Sequence, residues 1–260
     1  MLIESRTLLP SVNRYEAQYK VLLERILYQR GILRQTRTGD TMALFNQQLT
    51  VSYEQGFPLI TGRKLFIKNI VAEFQWMLSG STNVKFLQEK GVDIWNQWAD
   101  EAGDLGPTYG YQLSRQWDRI VTSLKNNPYS RRHIIDLWQF NHIDAMALPP
   151  CYYSFQFIVV KGNLNLTVVF RSSDAAVGLP YDVGVLSLFL YEMSLQTGYP
   201  VGELTCILTD VHVNVENIDA VKEYIDRPAY ALPTLEYTSS FKLQFSGYSS
   251  EPHIKMTIKP

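Results

Sequence analysis

Cys151 sits in ALPPCYYSFQF, residues 147–157, behind two prolines and ahead of an aromatic run. Proline fixes φ and stiffens the chain. The thiol is therefore either a small buried hydrophobe or a nucleophile on a rigid mount. A nucleophile needs acid/base partners and groups that hold a substrate. Glu73 is the one carboxylate inside FIKNIVAEFQWMLSG, residues 66–80. Burying an unpaired carboxylate is costly, so Glu73 marks either the wet side of a helix or a functional interior group. Arg131 and Arg132 are adjacent in YSRRHIIDLWQF, where they form a solvated edge or an anion clamp. His142 and His212 leave a Cys–His hydrolase open, although nothing local orients such a pair. GxSxG, P-loop and HExxH patterns are missing. The two cysteines, Cys151 and Cys206, lack zinc spacing and are too few for a disulfide scaffold. No metal is expected.

The elements that must position these residues follow from periodicity. Residues 14–33 place Val21, Leu22, Ile26 and Leu27 at helical spacing, with Gly31 as a stop. Residues 42–52 read as a strand and 66–80 as a buried helix ended by Gly80. Residues 83–117, with Trp95, Trp98, Tyr109 and Trp117, read as a loop region that is either packed or a ligand wall. YYSFQFIVV and NLNLTVVFR alternate around Lys161-Gly162-Asn163 as a β-hairpin. RSSDAAVGLPYD is a polar connection, and 183–198 is a strongly apolar helix. Strands beside long buried helices predict one α+β domain over residues 1–260, a sheet packed on helices.

Composition limits the partners. Apolar residues make up 46% and charged residues 19% of 260, and the net charge is -1. This is the balance of a folded protein with no basic face for nucleic acid. A small phosphorylated ligand needs only a local arginine cluster. The stretch MLIESRTLLPSVNRYEA does not read as a signal peptide, and no apolar run reaches the ~18 residues of a membrane span. The cytoplasm is the expected location.

Taken together in order, several segments resemble thymidylate synthase. They are RTG at 37, GFPLITGRK at 56, the helix with Glu73, DIWNQWADEAGDLGPTYG at 93 and SRR at 130. DAMALPPC at 144, RSSDAAVGLPYD at 171, DVH at 210 and IK at 254 follow. The resemblance implies a large mixed sheet with helices on one face, the other face joining a homodimer. It makes Cys151 the nucleophile at C6 of a pyrimidine nucleotide, with 5,10-methylenetetrahydrofolate as co-substrate. Arg171 would lie near thiol and phosphate and favour the thiolate. Arg37 and Ser172 would hold the phosphate, with Arg131 and Arg132 reaching across from the second subunit. Glu73 would organise water for proton transfer, and Tyr109 would assist loss of the C5 proton. Asp174 would contact the pterin, with Trp95 and Trp98 packed around the folate.

Four departures fall on substrate-facing positions. Asp182 ends GLPYD, where the family has asparagine opposite uracil. A carboxyl group can accept from cytosine N4 and share a proton with N3, which resembles the deoxycytidylate hydroxymethylases of phage. DVHVN keeps His212 for the sugar but puts Asn214 in place of tyrosine. Ala175 and Ala176 replace bulkier residues, which favours room for a 2′-hydroxyl. Tyr152 and Phe170 replace histidine and glutamine near the water network. The expected reaction is 5-hydroxymethylation of CMP (or dCMP), of use in modified-nucleotide or nucleoside-antibiotic chemistry. The rivals are methylation of dUMP and a non-catalytic nucleotide- or RNA-binding homodimer.

Overall fold

The computed structural model describes residues 13–37 and 39–259; the amino-terminal stretch read above for a leader lies largely outside them. In chain order, α1 (Arg14–Glu24) runs into a π-helical turn, Arg25–Gln29, and then β1 (Ile32–Thr36) and β2 (Gly39–Ser52). Next come α2 (Ile67–Ser79), the short α3 (Lys85–Gln88), α4 (Tyr109–Asn126), β3 (Ile134–Asp136), β4 (Tyr152–Val160) and β5 (Asn163–Phe170). After them follow β6 (Ser173–Asp174), α5 (Gly178–Thr197), β7 (Val201–Asn214), α6 (Ile218–Asp226), β8 (Thr234–Ser239) and β9 (Lys242–Ser246).

The expected hairpin is β4–β5, paired antiparallel from Tyr152↔Phe170 to Val160↔Asn163. Its Lys161-Gly162 turn has φ of 50° and 82°, the double positive φ of a type I′ turn, whose twist suits the flanking strands. The main sheet runs β1-β2-β7-β5-β4-β3, with β6 beside β7. β7 is parallel to β5 and β6 and antiparallel to β2, so the sheet is mixed.

Helices cover one face. Phe189 of α5 joins three elements, with ring centroids 5.1 Å from Phe74 of α2, 5.8 Å from Trp117 of α4 and 5.9 Å from Phe155 of β4. α5 is apolar through its middle because Val183 to Leu190, more than two full turns, are all buried. On the opposite face Thr50 meets Thr205 across β2 and β7, oxygen to oxygen at 3.3 Å. Gln48, Thr167, Gln156 and Ile158 on that face stay half-exposed or exposed.

Helical structure runs as α to Glu24 and as π to Gln29, stopping just before Gly31 as expected, and β1 then pairs Ile32 to Thr36 with Ala43 to Gly39. Two boundaries differ from the periodicity. α4 starts inside the expected loop, directly after Pro107 and an extended Thr108. α5 starts at Gly178 rather than 183, with Pro180 in its first turn, where an amide N–H has no intrahelical partner. Gly80 does end α2, at φ 74° in the left-handed region.

Candidate active site

Cys151 stands immediately before β4, half-buried. Its N–H donates to the hydroxyl of Tyr109, first residue of α4, at 2.7 Å. Three successive carbonyls around it belong to Arg171. The Arg171 N–H takes Cys151 O at 2.8 Å, Nε takes Pro150 O at 2.9 Å and Nη2 takes Pro149 O at 2.9 Å. Trp138 lies against the guanidinium, 5.6 Å from ring centroid to Cζ. The prolines thus do more than stiffen the chain: their carbonyls anchor the arginine that frames the thiol.

Burial pushes the thiol pKa up, and the Asp182 and Asp174 carboxyls push the same way. Arg171 and the Tyr109 hydroxyl pull it down but do not win. Arg171 thus pulls towards the thiolate, the direction expected of it, while burial and the two carboxyls push harder and leave the thiol pKa above its ordinary value.

Glu73 settles its ambiguity on the interior side. It is 7% exposed, and burial raises its pKa to about 7 against a hydrogen bond from Trp95 Nε1, 2.9 Å from Oε1. Asp182, on the second turn of α5, is raised well above the carboxylate range by burial, then by Glu73 and Asp174. Its half-buried carboxyl has no hydrogen-bond or ion-pair partner among the described residues. Asp174 is also raised by burial, against His212, the amides of Val177 and Ala176, and Asn214. Three carboxyl groups close together in a poorly solvated site resist ionising at once.

The wall is aromatic. Trp95 and Trp98 lie 5.3 Å apart, Trp95 and Tyr109 5.5 Å, and Tyr109 and Tyr152 4.9 Å. Tyr152 is 3% exposed, packs on Phe155 and Phe170, and points its hydroxyl at Met77 Sδ, 3.4 Å away. Tyr152 and Phe170 form a dry aromatic wall at the paired ends of β4 and β5.

His212 is half-buried, its Nδ1 3.0 Å from Asp210 Oδ1. Asp210 in turn binds Arg34, which rests over the Phe45 ring. The carboxylate accepts, so Nδ1 carries the hydrogen and a neutral ring offers Nε2 as acceptor. The Cys–His dyad finds no support: His142 Nδ1 is held by Gln112 at 2.8 Å. Neither histidine is among the groups acting on the thiol. Ala175 and Ala176 are buried, their carbonyls taken by the Tyr19 hydroxyl at 2.5 Å and Arg63 Nη2 at 2.6 Å. These bonds fix the backbone at both alanines. Asn214 is buried and turned to Asp174. Ser172 is half-buried beside Arg171, and Arg37 stands in the β1–β2 turn. Arg131 and Arg132 are exposed at the head of the edge strand β3, apart from this cluster.

Sequence reasoning missed Arg63, Asp210 and Glu16. Glu16 is fully buried and accepts from Asn13, the Thr61 amide and hydroxyl, the Gly62 amide and Tyr224. Only Asp210 left a signal, two residues before His212 on one strand face.

A proline-mounted thiol framed by an arginine, a tyrosine and three carboxyl groups is the site of a nucleophilic transferase. A family model described as thymidylate synthase matches residues 17–259, and the chain belongs to that family. It is thus a folate-dependent one-carbon transferase acting at C5 of a pyrimidine nucleotide. The indoles of Trp95 and Trp98, 5.3 Å apart, supply the flat apolar surface that a pteridine needs. Among the described residues no helix is long and apolar enough to cross a membrane, and no acidic, His or Cys cluster could hold a metal.

Proposed function

We propose that this chain is a single catalytic domain that 5-hydroxymethylates a cytidylate, CMP or dCMP, with water entering and tetrahydrofolate leaving unoxidised. The observation that carries the reading is Asp182, a half-buried carboxyl with no partner among the described residues, its pKa pushed well up by burial and then by Glu73 and Asp174. A protonated carboxyl presents one donor and one acceptor, matching cytosine N3 and N4–H₂. It can also give its proton to N3 as sulfur adds to C6. Uracil N3 already carries a hydrogen, so only cytosine offers this sink.

Cys151 gives its proton to a neighbouring carboxyl as its sulfur forms the C6–S bond, the C5–C6 double bond opens, Asp182 protonates N3, and C5 becomes nucleophilic. Bound methylenetetrahydrofolate supplies the one-carbon unit. Tyr109 assists loss of the C5 proton, and Glu73, near neutrality in pKa, is matched to moving protons at the base. Water then adds to the C5 methylene as the C6–S bond breaks. The hydroxymethyl outcome rests on the resemblance of the Asp182 site to the cytidylate hydroxymethylases. The preference for ribose rests on Ala175 and Ala176, smaller than the residues usual at those positions in the family.

Arg37, Arg171 and Ser172 would hold the phosphate. The half-exposed sheet face would join a second copy, from which exposed Arg131 and Arg132 would reach the same phosphate. The test is incubation with methylenetetrahydrofolate and CMP, dCMP, UMP or dUMP, reading product mass and dihydrofolate absorbance. A hydroxymethylated cytidylate without dihydrofolate is expected. A methyl product with dihydrofolate, or turnover of dUMP alone, overturns the proposal. Nucleotide binding without turnover would point instead to a non-catalytic homodimer.

A further inference from the structure

We infer that Asn214 is a positioning residue for the folate side of the site, acting through Asp174 and not on the sugar. β6 lies parallel to β7 with Asp174 opposite His212, so Asn214, two residues further, shares that side of β7. Its Nδ2 donates to Asp174 Oδ2 at 2.9 Å. Asp174 Oδ1 is already taken by the amides of Ala176 at 2.8 Å and Val177 at 3.1 Å. The amides fix one carboxylate oxygen and Asn214 fixes the other, so the plane of the carboxylate is set. The backbone beneath is itself pinned, through Tyr19 on Ala175 O and Arg63 on Ala176 O.

The asparagine amide has only one workable orientation. Flipped, its carbonyl would face a carboxylate oxygen. Held this way, Asn214 Oδ1 is left buried with no partner, a state native structures rarely tolerate without reason. A residue meant for a sugar hydroxyl would open its acceptor to the cleft. This one is 4% exposed and sealed. Asp174 keeps further lone pairs, aimed in one direction for pterin N–H donors.

The inference rests on the folate reading of Asp174 given above, and the experiment separates the two. Calorimetry would measure tetrahydrofolate and CMP binding to the full-length protein and to Asn214→Ala and Asn214→Leu. Leucine nearly conserves volume and removes the orphan acceptor, so it guards against a variant that merely fails to fold. Both variants should weaken tetrahydrofolate about tenfold, the loss of one hydrogen bond to a charged group, and move CMP less than about twofold. In turnover, KM for the folate should rise more than kcat falls. Weaker CMP binding with folate unmoved would make Asn214 a sugar ligand and overturn the inference. Equal losses for both ligands, or no change in either, would overturn it too. Wild-type protein that binds no tetrahydrofolate would overturn the proposed function and this inference together.

Discussion

Trp95 Nε1 donates to Glu73 Oε1 at 2.9 Å, joining the aromatic loop to the one carboxylate of α2. This bond opposes the desolvation that lifts Glu73 to about 7. Trp95→Phe keeps a flat ring and removes the donor. Glu73 should then move further up, and the ascending limb of kcat against pH should shift to higher pH. Turnover at neutral pH should fall by up to about tenfold for each unit that Glu73 moves up. An unshifted pH profile would show that Glu73 does not govern the proton transfers.

The same carboxyl makes folding pH-dependent. A group with a folded pKa near 7 and an ordinary value of 4.5 keeps its proton longer in the folded chain than in the unfolded one. Stability attributable to Glu73 is therefore present below about pH 4.5, falls as pH rises towards 7, and stays lower above it. The expected loss is about 3 kcal/mol. Asp182 and Asp174 act in the same direction. Glu73→Gln should flatten this slope in urea melts taken across the window, and should make the protein more stable than wild type at neutral pH.

Glu16 predicts a cost of the opposite kind. Five donors converge on its carboxylate: the Asn13 amide, the Thr61 N–H and hydroxyl, the Gly62 N–H and the Tyr224 hydroxyl. Glutamine has the right shape but sets an NH₂ group against donors. Glu16→Gln should therefore destabilise by about 3 kcal/mol, as for unsatisfied buried groups. Chemical denaturation measures it, and a change below about 1 kcal/mol would show that the donors find other acceptors.

What was legible in the sequence follows from how local each cause is. The β4–β5 hairpin and the end of α2 at Gly80 are set by residues within a few positions, and they read correctly. The change from α to π geometry at Arg25 and the strand Ile32–Thr36 were not legible, the strand because it is decided by pairing with β2. The thiol, its prolines and Arg171 could be identified as a unit. The balance of charge around Cys151 could not, since it sums burial with Asp182 and Asp174, far apart in sequence from the thiol's neighbours. Arg63 left no signal for a related reason: it closes on the Ala176 carbonyl from more than a hundred positions away. Contacts that leave no periodic trace in the chain are the ones periodicity misses.

Asp182→Asn tests the substrate reading most directly. The Asp182 carboxyl oxygen Oδ2 lies 3.6 Å from where a Cβ on Gly178 would stand, so an isosteric amide fits the same turn of α5. The amide cannot release a proton to N3, and it no longer adds to the repulsion from Asp182 that lifts the thiol. Cytidylate turnover should fall about a hundredfold, a typical acid–base contribution. UMP and dUMP, whose N3–H and O4 match an amide, should gain relative to it. The thiol should also react with an alkylating reagent at lower pH than in wild type, because one of the two carboxyls raising it is gone. Selectivity unchanged in competition between CMP and UMP would overturn the role of Asp182 in base choice. An unmoved alkylation profile would show that burial alone holds the Cys151 proton.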